Sequence, residues 1–164
     1  MGTGPAREAA THAGRQHTRH VAAVRAAARL AKVSGSALAE VDLTLAQYRV
    51  LVFLDRGERP ASHVATLLDV APSTVTSVVD GLCARGLVER GEDLRDRRRV
   101  VLSLTALGAT QLDRGDRVVA ERLGRLLQRL SDQDADTVLV GLDHLNTAME
   151  DYLVERFGQP GDGA

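Results

Sequence analysis

Apolar positions recur at helical spacing along most of the chain and alternate in only one short region. From about residue 16 to 40 an alanine-rich stretch sets Val21, Val24, Ala28 and Ala31 at helical intervals, which predicts a long helix. Thr44 and Gln47 then have the spacing of a capping box, each side chain able to satisfy a free N–H at a helix start. Leu43 and Tyr48 occupy the two positions of a hydrophobic staple around it, so a helix is predicted over 44–55, ending before "RGERP". A short helix over 62–68 follows, then another over 72–85, with Pro72 at its first position and Gly86 as its stop. Two strand-like runs, 87–90 and 100–104, flank an arginine-rich loop. A second long helix is predicted over 105–130, striped by Leu112, Val119, Leu123, Leu126 and Leu130. Ser131 and Asp134 open a last helix with Val138, Leu142, Leu145, Met149 and Leu153 at spacings of 4, 3, 4 and 4. Residues 1–14 and 158–164 are small, polar and Gly/Pro-bearing, and read as disordered arms.

Two short helices with a tight turn between them predict a helix-turn-helix. On the 72–85 helix, Val75, Val78, Val79 and Leu82 share a core face, while Ser73, Ser77, Asp80 and Ala84 lie opposite, flanked by Thr74 and Thr76. The outer N-terminal half is therefore Ser73, Thr74, Thr76 and Ser77: hydroxyl side chains short enough to let a helix sit deep in a major groove and bond to bases or phosphates. The positive helix end favours a phosphate there as well. A hairpin after such a helix is a wing. Arg95, Arg97, Arg98 and Arg99 at its tip suit DNA phosphates or a narrow minor groove. Asp96 opposes phosphate, so its role is assigned as orienting Arg98 through a charge-assisted hydrogen bond.

Composition changes this picture little. The 164 residues are 2% aromatic, which makes the core aliphatic. The formal net charge is -1, and nine arginines against eight acids over 47–105 leave that region only slightly basic, so binding must depend on local placement and on doubling in a dimer. The first helix and the 138–153 stripe carry more aliphatic surface than a lone winged helix can bury, which predicts a homodimer. No stretch is apolar for long enough to span a bilayer, and no signal-peptide core is present, so a cytoplasmic protein with no membrane partner is expected. No nucleophile–base pairing, phosphate loop or metal-ligand spacing points to an enzyme, a cofactor or a metal. One cysteine excludes an internal disulfide.

Three ordered matches make the chain resemble the MarR (multiple antibiotic resistance regulator) family of winged helix-turn-helix transcription factors over roughly residues 20–155. Asp96-x-Arg98, then Leu104-Thr105 and Gly108, fits the family's wing pattern; "LTLAQYRVL" (43–51) is similar to its second helix, and "PSTVTSVVDGLCARGLVER" (72–90) to its recognition helix and first wing strand. The resemblance implies a mostly α fold with a small β-hairpin wing, and long N- and C-terminal dimerisation helices interleaved between protomers. It also implies a regulator, usually a repressor, released from a pseudo-palindromic double-stranded DNA operator by a small and often phenolic, anionic effector. Two departures thin base readout: Ser77 stands where members often carry a long side chain, and Gly81 where arginine is frequent.

The expected division is a disordered arm (1–14), an N-terminal dimerisation helix (15–42), a DNA-binding lobe (43–105), C-terminal dimerisation helices (106–157) and a disordered tail (158–164). An effector pocket is expected where the first, second and fifth helices meet the lobe, with His20, Arg25, Arg29 and Tyr48 as polar contacts. Cys83 reads as a small buried hydrophobe, the alternative being a thiol whose oxidation disrupts DNA binding. A second alternative is a winged-helix protein-interaction module without its own operator.

Overall fold

Thr44 starts the second helix through both halves of the expected box: Gln47 N–H donates to Thr44 Oγ1 at 3.2 Å and Thr44 N–H donates to Gln47 Oε1 at 3.0 Å. In the computed structural model, which describes residues 5–57, 59–68, 72–92 and 100–157, that helix is the second of six. The elements are α1 (Pro5–Ala39), α2 (Leu45–Asp55), β1 (Arg59–Pro60), α3 (Ala61–Leu68), α4 (Pro72–Ala84), β2 (Val88–Glu92), β3 (Val100–Leu104), α5 (Ala106–Leu127) and α6 (Asp132–Phe157).

Two of these differ from the sequence reading. α1 begins at Pro5, so most of the arm expected over 1–14 is helical. Proline suits a first helical turn, since its φ is preset and its missing N–H would have had no partner, and the alanines, arginine and glutamate after it are good helix formers. β1 was not expected at all. It makes the hairpin a three-stranded antiparallel sheet in the order β1-β3-β2, with Arg59 opposite Leu102 and Pro60 opposite Val101. Proline is tolerated there because β1 is an edge strand. The tail over 158–164 lies outside the described residues.

The lobe closes on one aliphatic core. Val50, Leu51 and Leu54 of α2, Val64 of α3, Val79 and Leu82 of α4, and Leu102 of β3 are all less than 5% exposed, each contributing roughly 1.5–3 kcal/mol by burial. Leu38 and Leu43 bring the end of α1 and the following turn into the same cluster. Gly115 lets α5 approach there: a Cβ at that position would lie 3.1 Å from Tyr48, 3.2 Å from Leu38 and 3.3 Å from Leu43. α6 packs extensively on no element of its own chain. It leaves Val138, Leu145, Met149 and Tyr152 exposed. No helix among the described residues is long and apolar enough to cross a membrane.

Candidate nucleic-acid interface

α4 divides as its periodicity requires. Val75, Val79 and Leu82 are buried, Val78 is partly buried, and Thr74, Thr76, Ser77, Asp80 and Ala84 are exposed. The structure therefore sets Thr74, Thr76 and Ser77 on one outward face; the Ser73 side chain lies outside the described residues, as do Arg95, Asp96, Arg97, Arg98 and Arg99 of the wing tip. Cys83 is half-buried and packs against the aliphatic core. Gly81 has ordinary room for a side chain, the nearest atom to a built Cβ being Gln47 Nε2 at 3.6 Å. Gly81→Ala should therefore stabilise the fold by about 0.5–1 kcal/mol, the helix-propensity difference. Thermal melting checks this, and a lower midpoint would show that the close α2–α4 approach needs glycine.

Three polar contacts that fix α4 and α5 have no signature in the sequence pattern. Arg90 Nη2 of β2 donates to Asp80 Oδ1 at 2.6 Å, tying the wing strand to the outer side of α4. The hydrogen bond to Asp80 raises the Arg90 pKa above its ordinary value. Both side chains are about half exposed, so the pair adds little to stability and acts mainly as a positional tie. At the other end of the helix, Arg85 Nη1 donates to the Asp42 carbonyl oxygen at 2.6 Å. Asp42 has a φ of 56°, which turns the chain between α1 and α2, and aspartate is one of the few residues that adopts this conformation readily. Gln111 of α5 donates to the preceding carbonyl, that of Val41, at 2.5 Å. α4 and α5 thus grip consecutive carbonyls of one turn. Arg85→Ala should weaken DNA binding a few-fold while costing about 1 kcal/mol or less of stability, because it removes an exposed charged hydrogen bond that aims the helix. Parallel titration and melting test this, and unchanged affinity would mean that α4 is aimed by its core face alone.

The motif Leu104-Thr105-x-x-Gly108 joins the sheet to α5. The Thr105 hydroxyl donates to the Gly86 carbonyl at 2.7 Å and accepts from the Gly108 N–H at 2.9 Å. Gly86 itself ends α4 with a φ of 67°. One threonine therefore links the end of α4 to the start of α5.

A cavity of about 610 Å³ lies between α2, α3 and α6. Val52, Leu67, Met149 and Leu153 make its apolar wall, and Arg49, Arg56 and Arg156 are the cations at it. Arg49 Nη2 donates to the Leu67 carbonyl at 2.6 Å, Arg56 pairs with Glu150, and Arg156 donates to the Tyr152 hydroxyl. Of the four residues expected around a pocket, Tyr48 lines this one, whereas His20, Arg25 and Arg29 are exposed on α1 and do not. α1 reaches the core at its C-terminal end, through Ala37 and Leu38, and His20, Arg25 and Arg29 come well before that point in the helix. Tyr48 donates to Asp116 Oδ1 at 2.5 Å. Burial, and then that carboxylate, push its phenol well above the usual tyrosine range, so it remains a donor. Among the described residues no group of three or more His, Cys, Asp or Glu could hold a metal ion.

Comparison with known proteins agrees with this architecture. The family model described as MarR family matches residues 41–99. The HTH-type transcriptional regulator YfiV of Bacillus subtilis is 32% identical over 71% of this chain and 73% of its own length. The transcriptional repressor CouR, bound to a 23-mer DNA duplex, superposes with a TM-score of 0.63 at 33% identity, covering 76% of this chain and 89% of CouR. Wild-type MarR from E. coli in its apo form shares the fold, with a TM-score of 0.66 at 23% identity over 78% of this chain and 95% of that one. With a winged helix whose outward face is built of short hydroxyl residues, and with relatives of this kind, the chain belongs to the MarR family of transcriptional regulators.

Proposed function

We propose that the chain is a dimeric repressor which binds an inverted-repeat operator and is released by a small aromatic anion. The observation that carries the DNA-binding part is the outward hydroxyl face of α4, in a fold superposable on a repressor bound to a DNA duplex. Thr74, Thr76 and Ser77, with Ser73, enter the major groove; Arg95, Arg97, Arg98 and Arg99 reach the backbone or the minor groove. Dimerisation is supported by the exposed apolar residues of α6 together with Leu126 and Leu130. A two-fold axis would set the two α4 helices about 34 Å apart, one turn of B-DNA. The α2–α3–α6 cavity supports the effector reading: its apolar wall takes a ring, and its arginines take a carboxylate or phenolate. Because Arg56 is held by Glu150, an anion competing for it would loosen α6 from α2.

Footprinting on the DNA flanking the protein's own gene tests the reading. The expected result is one protected inverted repeat, with protection lost on adding a benzoate or hydroxybenzoate from a small panel. A single unsymmetrical half-site would overturn the dimeric operator. Absence of any protected sequence would favour a winged helix that binds protein instead.

A further inference from the structure

One hydrogen bond in the wall of the α2–α3–α6 cavity belongs to the helix-turn-helix. Arg49 Nη2 of α2 donates to the Leu67 carbonyl of α3 at 2.6 Å, and both residues line the cavity. α3 has eight residues, too few to hold a helix by its own hydrogen bonds. The Leu67 carbonyl is among its last four, which have no partner inside the helix. Arg49 therefore caps α3 from the neighbouring helix. Where α3 ends bears directly on α4: Val64 and Leu68 pack in one cluster with Val75 and Val79, and only three residues separate Leu68 from Pro72.

The three arginines at the cavity are not equally committed. Arg56 pairs with Glu150, a carboxylate that also accepts from Asn146 Nδ2 at 2.7 Å, so an anion there must displace another anion. Arg156 donates to the Tyr152 hydroxyl, a bond that joins α6 only to itself. Arg49 takes part in no ion pair among the described residues, and its partner is a neutral carbonyl that belongs to another helix. It is therefore the arginine at which an incoming carboxylate gains most, and at which the exchange disturbs α3. Nη2 is the nitrogen common to both parallel N–H pairs of a guanidinium, Nε–H with Nη2–H and Nη1–H with Nη2–H. A carboxylate held by two bonds thus engages the donor nitrogen that Leu67 uses.

We infer that an anion in the cavity acts on DNA binding through Arg49: the guanidinium turns from the Leu67 carbonyl to the anion, α3 loses its cap, and the start of α4 with Thr74 and Thr76 is no longer held in place. This rests on the effector reading above and adds to it the residue and the route. Arg49 is a positioning residue in the free protein and an anion ligand in the effector-bound one, and the second role is gained at the expense of the first. A neutral ring would fill the same cavity and leave the cap intact, so negative charge, rather than occupancy, is the signal.

Hydrogen exchange of the full chain tests this, with benzoate and 4-hydroxybenzoate as the anions and benzamide as the neutral ring. In the wild type either acid should speed exchange of the amides of residues 65–68, the last turn of α3, by roughly fivefold or more, and benzamide should not. Arg49→Met removes the cap and the anion's partner together while keeping an unbranched apolar stem. Its amides there should exchange fast without ligand, and neither acid should speed them further. Its affinity for the operator fragment defined by footprinting should already be lowered a few-fold, with no further loss on adding acid. Arg49→Lys keeps a donor for one carbonyl but not the paired N–H groups, so it should restore slow exchange and operator binding yet respond to either acid less than the wild type. Should Arg49→Met fail to fold, the wild type and Arg49→Lys still decide. A wild type that binds neither acid by calorimetry would overturn the effector reading and this inference with it. Release of the wild type from its operator with exchange at 65–68 unchanged or slowed would overturn the Arg49 route alone. So would equal effects of benzamide, or an Arg49→Met protein that either acid releases by the wild-type factor.

Discussion

Gly108→Ala should destabilise the protein by several kcal/mol and lower its melting midpoint by about 10 °C. A Cβ at residue 108 would lie 2.0 Å from the carbonyl oxygen of Leu87 and 2.8 Å from Leu104 Cδ1. A side chain can swing aside, but the Leu87 carbonyl is backbone and already accepts the Thr105 N–H. Relief requires α5 to move away from the end of α4, which also breaks the Gly86–Thr105–Gly108 links. Gly124→Ala in the same helix provides the contrast. Nothing lies within 4 Å of its Cβ position, so the change should be neutral or stabilising by up to about 1 kcal/mol. Similar midpoints for the two variants would mean that α5 does not start against Leu87. Because the displaced contact joins α4 to α5, the Gly108 variant should also lose DNA affinity at temperatures where it remains folded.

The same glycine shows what a sequence can and cannot disclose. Leu104-Thr105-x-x-Gly108 was legible as a motif, but the reason for its glycine lies in Leu87, whose proximity depends on how β2 and β3 pair. Local signals were read correctly where neighbours in sequence are neighbours in space. The Thr44–Gln47 box and the buried face of α4 are of that kind. The start of α1 was misread because Gly and Pro were taken as breakers, although proline favours a first turn and Gly14 has open space around it. β1 escaped because two residues cannot show a period. Arg59 is buried there with its guanidinium 5.1 Å from the centre of the Phe53 ring. Its pKa is lowered by that burial and then by the charge of Arg56. Arg85–Asp42 and Arg90–Asp80 escaped for a related reason: each joins one element to another, and no spacing rule connects them. That α6 walls the α2–α3 cavity was not legible, because no spacing rule connects residues 146–156 to residues 48–56.

Arg98→Ala should weaken operator binding by about 1–3 kcal/mol, close to the cost of losing one specific contact. In the proposed complex Arg98 enters the minor groove next to the major groove taken by α4, while Arg95, Arg97 and Arg99 meet phosphate or solvent. Arg97→Ala should then cost less, act alike on all DNA and chiefly reduce the salt dependence. Asp96 decides between two accounts of the loop. If it is only a solvated acid, Asp96→Ala removes a negative charge next to phosphates, and binding tightens, more so at low salt. If it holds the Arg98 guanidinium in one orientation, as proposed, the same substitution frees Arg98 to sample other rotamers, and binding weakens in spite of the improved net charge. The ordered pair of β2 and α4 makes the second outcome the expected one. Arg90 is already held by Asp80, which ties β2 to α4, and the same kind of charge-assisted tie is the role proposed for Asp96 on Arg98. Affinities of Asp96→Ala, Arg98→Ala and the double variant at two salt concentrations measure this directly. Orientation requires that Asp96→Ala have no further effect once Arg98 is gone; tighter binding at both concentrations would leave Asp96 a surface acid and Arg98 one phosphate contact among several.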